Sequence, residues 1–259
     1  MSQSSIERCT ALRERYYPRD EWPGLRYEAA VAACAGPDAV LLEIGCGRDA
    51  RRLQRMAAGF GFSIGIDMEI AEQLNGASRT RLVLGDAHRI ALADESVDVI
   101  AMANVAEHLA EPIAVFNECR RVLKPGGRLV VMTVNQNFPP IALARILPHR
   151  IRQLANRVAS GTHLEDTFPA YYRMNTVRDL AAIAASGGFG IRELSYIPHH
   201  PHYLMFSTLA YRLGVFVERA TRPVAALRHM ILGVFEKPSA AVQPSRRTSP
   251  ARMEVSTHS

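Results

Sequence analysis

Lysine is nearly missing from this chain: Lys124 and Lys237 stand against 29 arginines in 259 residues. The net charge of +6 is therefore almost all guanidinium, which suits phosphate contacts but also follows from a coding bias, so charge alone does not select a nucleic-acid partner. Cysteine is scarce too. Cys9, Cys34, Cys46 and Cys119 form no Cys-x-x-Cys pair and no zinc spacing, which excludes a disulfide framework and fits reduced thiols in a cytoplasmic protein. No apolar run reaches the roughly 18 residues that a bilayer crossing requires, and Met1–Arg15 is too polar for a signal peptide. With 48% apolar and 22% charged residues, wholesale disorder and collagen-like repeats are excluded as well.

What is present is an alternation. Ser4 with Glu7 reads as a capping box opening a helical segment that runs to about Ala35, its aromatics Tyr16, Tyr17, Trp22 and Tyr27 serving as packing. Strands are then expected at Ala39–Ile44, Phe62–Ile66, Arg81–Leu84, Val97–Ala103 and Arg128–Val134. Helices are expected at Arg48–Phe60 and Glu107–Leu123, the latter stopped by Lys124-Pro125-Gly126-Gly127. The rhythm fails over about 135–175, resumes with a helix at Thr176–Ser186 and a strand near Ile191–Ile197, then fails again over 198–229. Met230–Phe235 closes as a last strand. Strands alternating with helices in this way predict an α/β, doubly wound, mostly parallel sheet.

The sharpest local signal is Val40-Leu41-Leu42-Glu43-Ile44-Gly45-Cys46-Gly47-Arg48-Asp49-Ala50, a buried strand running into a tight glycine turn. Glycine lets the backbone approach a ligand and leaves free amide donors there, and Asp67, twenty residues after Gly47, ends the next strand where a ribose-binding carboxylate belongs. Gly45-x-Gly47-x-x-Ala50 fits a loose dinucleotide fingerprint. That reading, however, places Asp49 and Glu43 around a pyrophosphate, which is poor electrostatics, whereas a cofactor with a cationic, phosphate-free middle suits the acids.

Leu41–Gly47 resembles the first motif of class I S-adenosylmethionine-dependent methyltransferases. Ile66-Asp67, Gly85-Asp86-Ala87 and Leu123–Leu129 resemble the motifs that follow, and Ser96–Ile100 with Ala106-Glu107-His108-Leu109 is similar to the small-molecule "type 11" branch. The resemblance spans Ala39–Val134 and implies a seven-stranded Rossmann-like sheet with an irregular, partly helical cap. It also implies S-adenosyl-L-methionine as cofactor, with a role for each matching residue. Glu43 orients the methionine end, and Gly45 and Gly47 admit the backbone to the methionine and ribose. Asp67 takes the ribose hydroxyls, Met68 lies on the adenine face, Asp86 and the Ala87 amide read the adenine edge, and Asn104 lines the methionine end. Asp49 departs from the family, which commonly has a third glycine there.

On this frame, residues 1–36 form an N-terminal helical cap and 37–238 the methyltransferase domain, with cap insertions at about 135–175 and 198–229. Residues 239–259 form a disordered tail. Methyl transfer from a sulfonium is an in-line displacement that needs a base only for a hydroxyl or protonated amine acceptor. His108 is the candidate catalytic base, and His163, Glu165, Asp166, Tyr171 and Tyr172 lie in the excursion expected to cover the acceptor. His199-His200-Pro201-His202 is set aside as a metal site, because adjacent loop histidines seldom converge and no cysteine or carboxylate follows at ligand spacing. Asn137-Phe138-Pro139-Pro140 has the wrong order and place for a nucleic-acid amino-methyltransferase motif.

Tyr203–Val217, with Arg212 as its only charge and Arg219, Arg222 and Arg228 beyond, reads either as an apolar cap over the acceptor or as an interfacial helix. In the second case peripheral contact with the inner membrane face runs through 203–228. Phe168–Arg173 is similar to segments of methyltransferases in cell-surface glycan or lipid biosynthesis. The expected acceptor is thus small, hydrophobic or lipid- or glycan-linked, with no nucleic-acid partner. An RNA methyltransferase and a non-catalytic cofactor-binding protein remain the alternatives.

Overall fold

The computed structural model describes residues 3–70, 79–146 and 169–239. Seven strands form one sheet: β1 (Gly36–Ile44), β2 (Phe60–Asp67), β3 (Thr80–Leu84), β4 (Val97–Ala103), β5 (Leu123–Val134), β6 (Gly190–Ile197) and β7 (Met230–Glu236). Their order is β3-β2-β1-β4-β5-β7-β6. The first five run parallel, and β7 is antiparallel to both β5 and β6, so β6 points the same way as the parallel set. The mostly parallel, doubly wound sheet expected from the sequence is present.

Period-two alternation decides which side chain meets which layer. Leu42, Ile44, Ile100, Met102, Leu129 and Val131 face a core completed by α4 (Pro112–Val122) and α6 (Val177–Ser186). Phe116 of α4 is fully buried and makes edge contacts with Phe189 and Phe235 at 5.9 and 6.1 Å. Leu41, Val99, Ala101, Val130 and Met132 face the other core, closed by α2 (Pro23–Ala32) and α3 (Arg51–Met56). A smaller cluster joins Cys9 of α1 (Gln3–Tyr16) and Tyr17 to Tyr211 and Val215 of α7 (Thr208–Thr221). A short helix α5 (Pro139–Ile146) follows β5.

Several expected boundaries move, each for a local reason. The helix expected over Arg48–Phe60 is only Arg51–Met56 plus a 3-10 turn at Ala57–Gly59, because Ala50 is left-handed (φ 47°) and cannot propagate a helix. The helix expected from Glu107 is a 3-10 turn at Ala106–His108 followed by α4, with Pro112 at its first position. Proline lacks the N–H and is tolerated there but not inside a helix. Ser4 lies within α1, which includes Gln3, so it is not the cap. Lys124-Pro125-Gly126-Gly127 falls inside β5 rather than before it, held by Gly126 N–H to Lys237 O (2.8 Å) and Lys237 N–H to Gly127 O (2.9 Å). The second excursion is less irregular than expected, since α7 starts on Ser207, whose Oγ accepts from the Ala210 N–H at 3.4 Å. The tail from 240 on lies outside the described residues, as do His163, Glu165 and Asp166.

Candidate cofactor and active site

The turn after β1 is built where its strand ends against two neighbours. Gly45 and Gly47 both have positive φ (71° and 73°). At Gly45 a side chain has no room as well, because an added Cβ overlaps the Val105 side chain. The Gly45 and Cys46 N–H groups donate to Ile66 O at 2.8 and 3.3 Å, and the Gly47 N–H donates to Asp67 Oδ2 at 2.7 Å. The free amide donors expected of this turn are therefore not free. Helix α3 begins four residues past Gly47 and spans only six, so it offers no phosphate cradle of the dinucleotide kind.

Above the carboxyl ends of β1, β2 and β4 lies a cavity of about 430 Å³, within the usual range for small-molecule sites. Gly45, Asp67, Met68, Asp86, Ala87, Asn104 and His108 all line it, together with apolar Ile44, Ile66, Val105 and Leu109. Asn104 holds a positive φ of 58°. Two predicted residues are elsewhere. Gly47 closes the turn outside the lining, and Glu43 is fully buried below it, on the face of β1 that also carries Leu41.

The carboxylates differ in condition. Asp67 Oδ1 accepts from the Glu69 N–H at 3.0 Å. Asp86 Oδ1 accepts from the His88 N–H at 2.9 Å and lies 2.7 Å from His88 Nδ1, which together hold its pKa below the usual range. Asp86 Oδ2 has no partner among the described residues.

Residues 42–131 match the methyltransferase domain family of the type 11 branch. This stretch is a class I methyltransferase domain. Over 115 residues the chain is 29% identical to a ubiquinone biosynthesis O-methyltransferase of Parvibaculum lavamentivorans, covering 44% of this chain and 42% of that one. It is 32% identical over 148 residues to a malonyl-[acyl-carrier protein] O-methyltransferase of Methylococcus capsulatus, covering 46% and 54%. The match thus spans only about half the length of these curated relatives. Among solved structures, geranyl diphosphate C-methyltransferase from Streptomyces coelicolor, in complex with Mg2+, geranyl-S-thiolodiphosphate and S-adenosyl-L-homocysteine, superposes with a TM-score of 0.55. The identity is 16%, over 82% of this chain and 74% of that one, a likeness of fold.

The methyltransferase domain contains a polar relay that sequence reading missed. Glu107 is buried, its Oε2 accepts from Thr133 Oγ1 at 2.8 Å, and Thr133 Oγ1 accepts from Asn175 Nδ2 at 2.7 Å. Burial raises the Glu107 carboxyl. The Glu107 carbonyl also receives the Tyr171 N–H at 2.7 Å, so the loop carrying Pro169 and Tyr171 is pinned to the ends of β4 and β5. That loop reaches the cavity, where Pro169 O lies 2.9 Å from His108 Nδ1. A carbonyl only accepts, so Nδ1 carries a proton, and in the neutral tautomer the lone pair is on Nε2. The only sign of this in the sequence is a glutamate inside an apolar turn, and its partners Thr133 and Asn175 are far along the chain.

Glu43 is the domain's least comfortable group. Neither carboxylate oxygen has a hydrogen-bond partner of ordinary geometry. Arg55 is turned to Glu28 (2.6 Å), and Arg52 lies over the Tyr27 ring at 5.5 Å. Burial pushes the Glu43 carboxyl up to about 7, with Arg52 and Arg55 opposing. A folded-state value above the unfolded 4.5 makes folding take up a proton between these limits. Stability from this group therefore falls as pH rises through that window, and the penalty is complete above it. Glu43→Gln is expected to match the wild type in urea near pH 4.5 and to exceed it by up to roughly 3 kcal/mol near pH 8. Equal midpoints at both pH values rule this out.

Proposed function

We propose that this protein transfers a methyl group from S-adenosylmethionine to a small apolar, lipid-linked or glycan-linked acceptor. The sign of the cavity carries the reading. Asp67 and Asp86 line it, and among its described lining residues there is no lysine or arginine, in a chain that has 29 arginines. A dinucleotide brings two phosphate charges to such a site. S-adenosylmethionine brings a sulfonium and an ammonium, and the transferable methyl group is its chemistry.

The residues present fit that group. In this reading Asp67 takes the ribose hydroxyls, Asp86 Oδ2 and the Ala87 amide read the adenine edge, and the Met68 side chain, 61% exposed, lies on the adenine face. Gly45 and Asn104 border the methionine end, and the buried Glu43 side chain lies beneath it. Calorimetry with S-adenosylmethionine and with NAD tests the assignment. Heat with the first and none with the second is expected, and Asp67→Ala is expected to lose about 1–3 kcal/mol of affinity. No heat with S-adenosylmethionine, or tighter NAD binding, overturns it.

For a hydroxyl acceptor His108 is the base. S-adenosylmethionine, when bound, would supply an electrophilic methyl group whose sulfur leaves with the carbon–sulfur electron pair as the acceptor oxygen bonds to it, and Nε2 would take up the hydroxyl proton. A screen of labelled cofactor against cell extracts split into lipids, glycans, RNA and small metabolites identifies the acceptor. With that acceptor, His108→Gln is expected to turn over about a hundredfold or more slowly while binding cofactor normally. Unchanged turnover removes His108 from the mechanism.

Helix α7 supports delivery of the acceptor from a membrane surface. It contributes nothing to the described lining of the cavity. Tyr211, Val215 and Glu218 are buried towards α1, while Leu209 (80% exposed), Leu213 (63%), Phe216 (70%) and Val217 (43%) face outward. Arg212 and Arg219 flank that face, the arrangement that meets anionic headgroups. No helix among the described residues is long and apolar enough to cross a membrane. The wild type is expected to co-sediment with phosphatidylglycerol vesicles at low salt, and Leu213→Asp/Phe216→Asp to remain in the supernatant. Equal pelleting of the two sinks the membrane contact.

A further inference from the structure

At the same edge of the sheet as the cofactor cavity, but over β5, β7 and β6, four histidines gather. His199 and His200 follow β6 after Pro198, His202 opens the next turn, and His229 immediately precedes β7. Since β6 parallels β5 and β7 runs back between them, Ile197 and Val134 both pair with Met230. The topology thus draws residues from distant parts of the chain to one spot. At about 4.8 Å per strand, this spot lies two to three strands from β4, roughly 10–14 Å along the edge.

Three of these histidines are unlike the fourth. His200 is turned towards Tyr211, its Nδ1 3.4 Å from the hydroxyl. For His199, His202 and His229, one ring nitrogen of each lies within 4.8 Å of the others. The ring centroids are 4.9–5.8 Å apart, and the planes are within 29° of parallel. The Nδ1 atoms of His199 and His229 are buried without a hydrogen-bond partner. His229 itself is only 6% exposed, its carbonyl held by the Asn135 N–H at 2.7 Å and its ring against Phe138 at 4.5 Å. Two orphaned nitrogens in one buried spot each carry a desolvation penalty that a ligand removes.

We propose that His199, His202 and His229 form a binding site for a borderline divalent transition-metal ion of the Zn2+ class. Imidazole nitrogens without carboxylate oxygens select such an ion over Mg2+ or Ca2+. Zinc–nitrogen bonds of about 2.0–2.1 Å place tetrahedral ligand atoms roughly 3.3 Å apart, so the rings must turn and close by up to about 1.5 Å. His202, exposed at the rim, is free to make that movement, while the buried His229 supplies the fixed ligand. Three protein ligands leave a fourth position open, for water or for an anionic oxygen or sulfur atom. Arg13, close enough to disfavour protonation of His199 and His200, opposes a cation and limits the affinity. Adjacent loop histidines seldom converge, and no cysteine or carboxylate follows 199–202 at ligand spacing; the third ring comes instead from His229, 27 residues beyond His202.

The test uses the full chain freed of any affinity-tag histidines. Zn2+ is titrated in competition with a chromogenic chelator, and the visible absorption of the Co2+ form is recorded. One ion per chain is expected, with Co2+ bands typical of tetrahedral nitrogen ligation. His202→Gln and His199→Gln are each expected to weaken binding by more than about tenfold, since loss of even an outer partner of a metal ligand costs that much. His200→Gln is expected to leave the affinity unchanged. Cofactor calorimetry on His202→Gln checks folding and is expected to match the wild type, which keeps this result separate from the methyltransferase reading. Absence of stoichiometric binding, or affinity unaffected by both His202→Gln and His199→Gln, overturns the proposal.

Discussion

The arrangement depends on one weld: the three amides that follow β1 are all given to the end of β2. Gly45 and Cys46 donate to Ile66 O, and Gly47 donates to the Asp67 carboxylate. This is possible only because the chain turns through positive φ twice and because nothing larger than a hydrogen sits at Gly45 beside Val105. The weld sets the height of the cavity floor. It also fixes Asp67 in the cavity lining. A loop that used these amides for an anion would have had to leave β2 unattached at that end.

Charge follows the same economy. Of the arginines that carry nearly all of the positive charge, several stand in pairs near the surface, such as Arg121 with Glu118 and Asp94, Arg192 and Arg128 with Glu236, and Arg55 with Glu28. Exposed pairs of this kind contribute little to stability individually. None of these arginines reaches the described cavity lining, where the ionisable side chains are carboxylates, histidines and Tyr171. The buried Glu43 lies outside that lining, and its burial favours the protonated acid.

The sheet was legible because parallel strands buried on both faces leave continuous apolar runs, and Val97–Ala103 was read to the residue. Helix ends were less legible. Pro112 carried a start signal that a helix drawn from Glu107 ignored, and the left-handed Ala50 left no trace in the sequence. Seven of the sixteen described lining residues could be named from the sequence, among them Gly45, Asp67, Asp86 and Asn104, because these sit at strand ends, where such folds open their clefts. Groups whose meaning depends on a distant partner could not be named. Thr133 and Asn175 acquire a role only beside Glu107, and His199 only beside His229.

The reversal of β7 between β5 and β6 has a consequence for how such domains diversify. Residues 198–229 leave the sheet at the end of β6 and re-enter at the start of β7, two points that are adjacent because Ile197 pairs with Met230. A segment whose ends are already together can be lengthened, shortened or replaced with little loop-closure penalty, since that entropy grows only with the logarithm of length. The excursion that holds α7 and all four of the clustered histidines is therefore an exchangeable cassette. Changes there alter what meets the outer surface and the far edge of the sheet while the cofactor turn, three strands away, stays as it is.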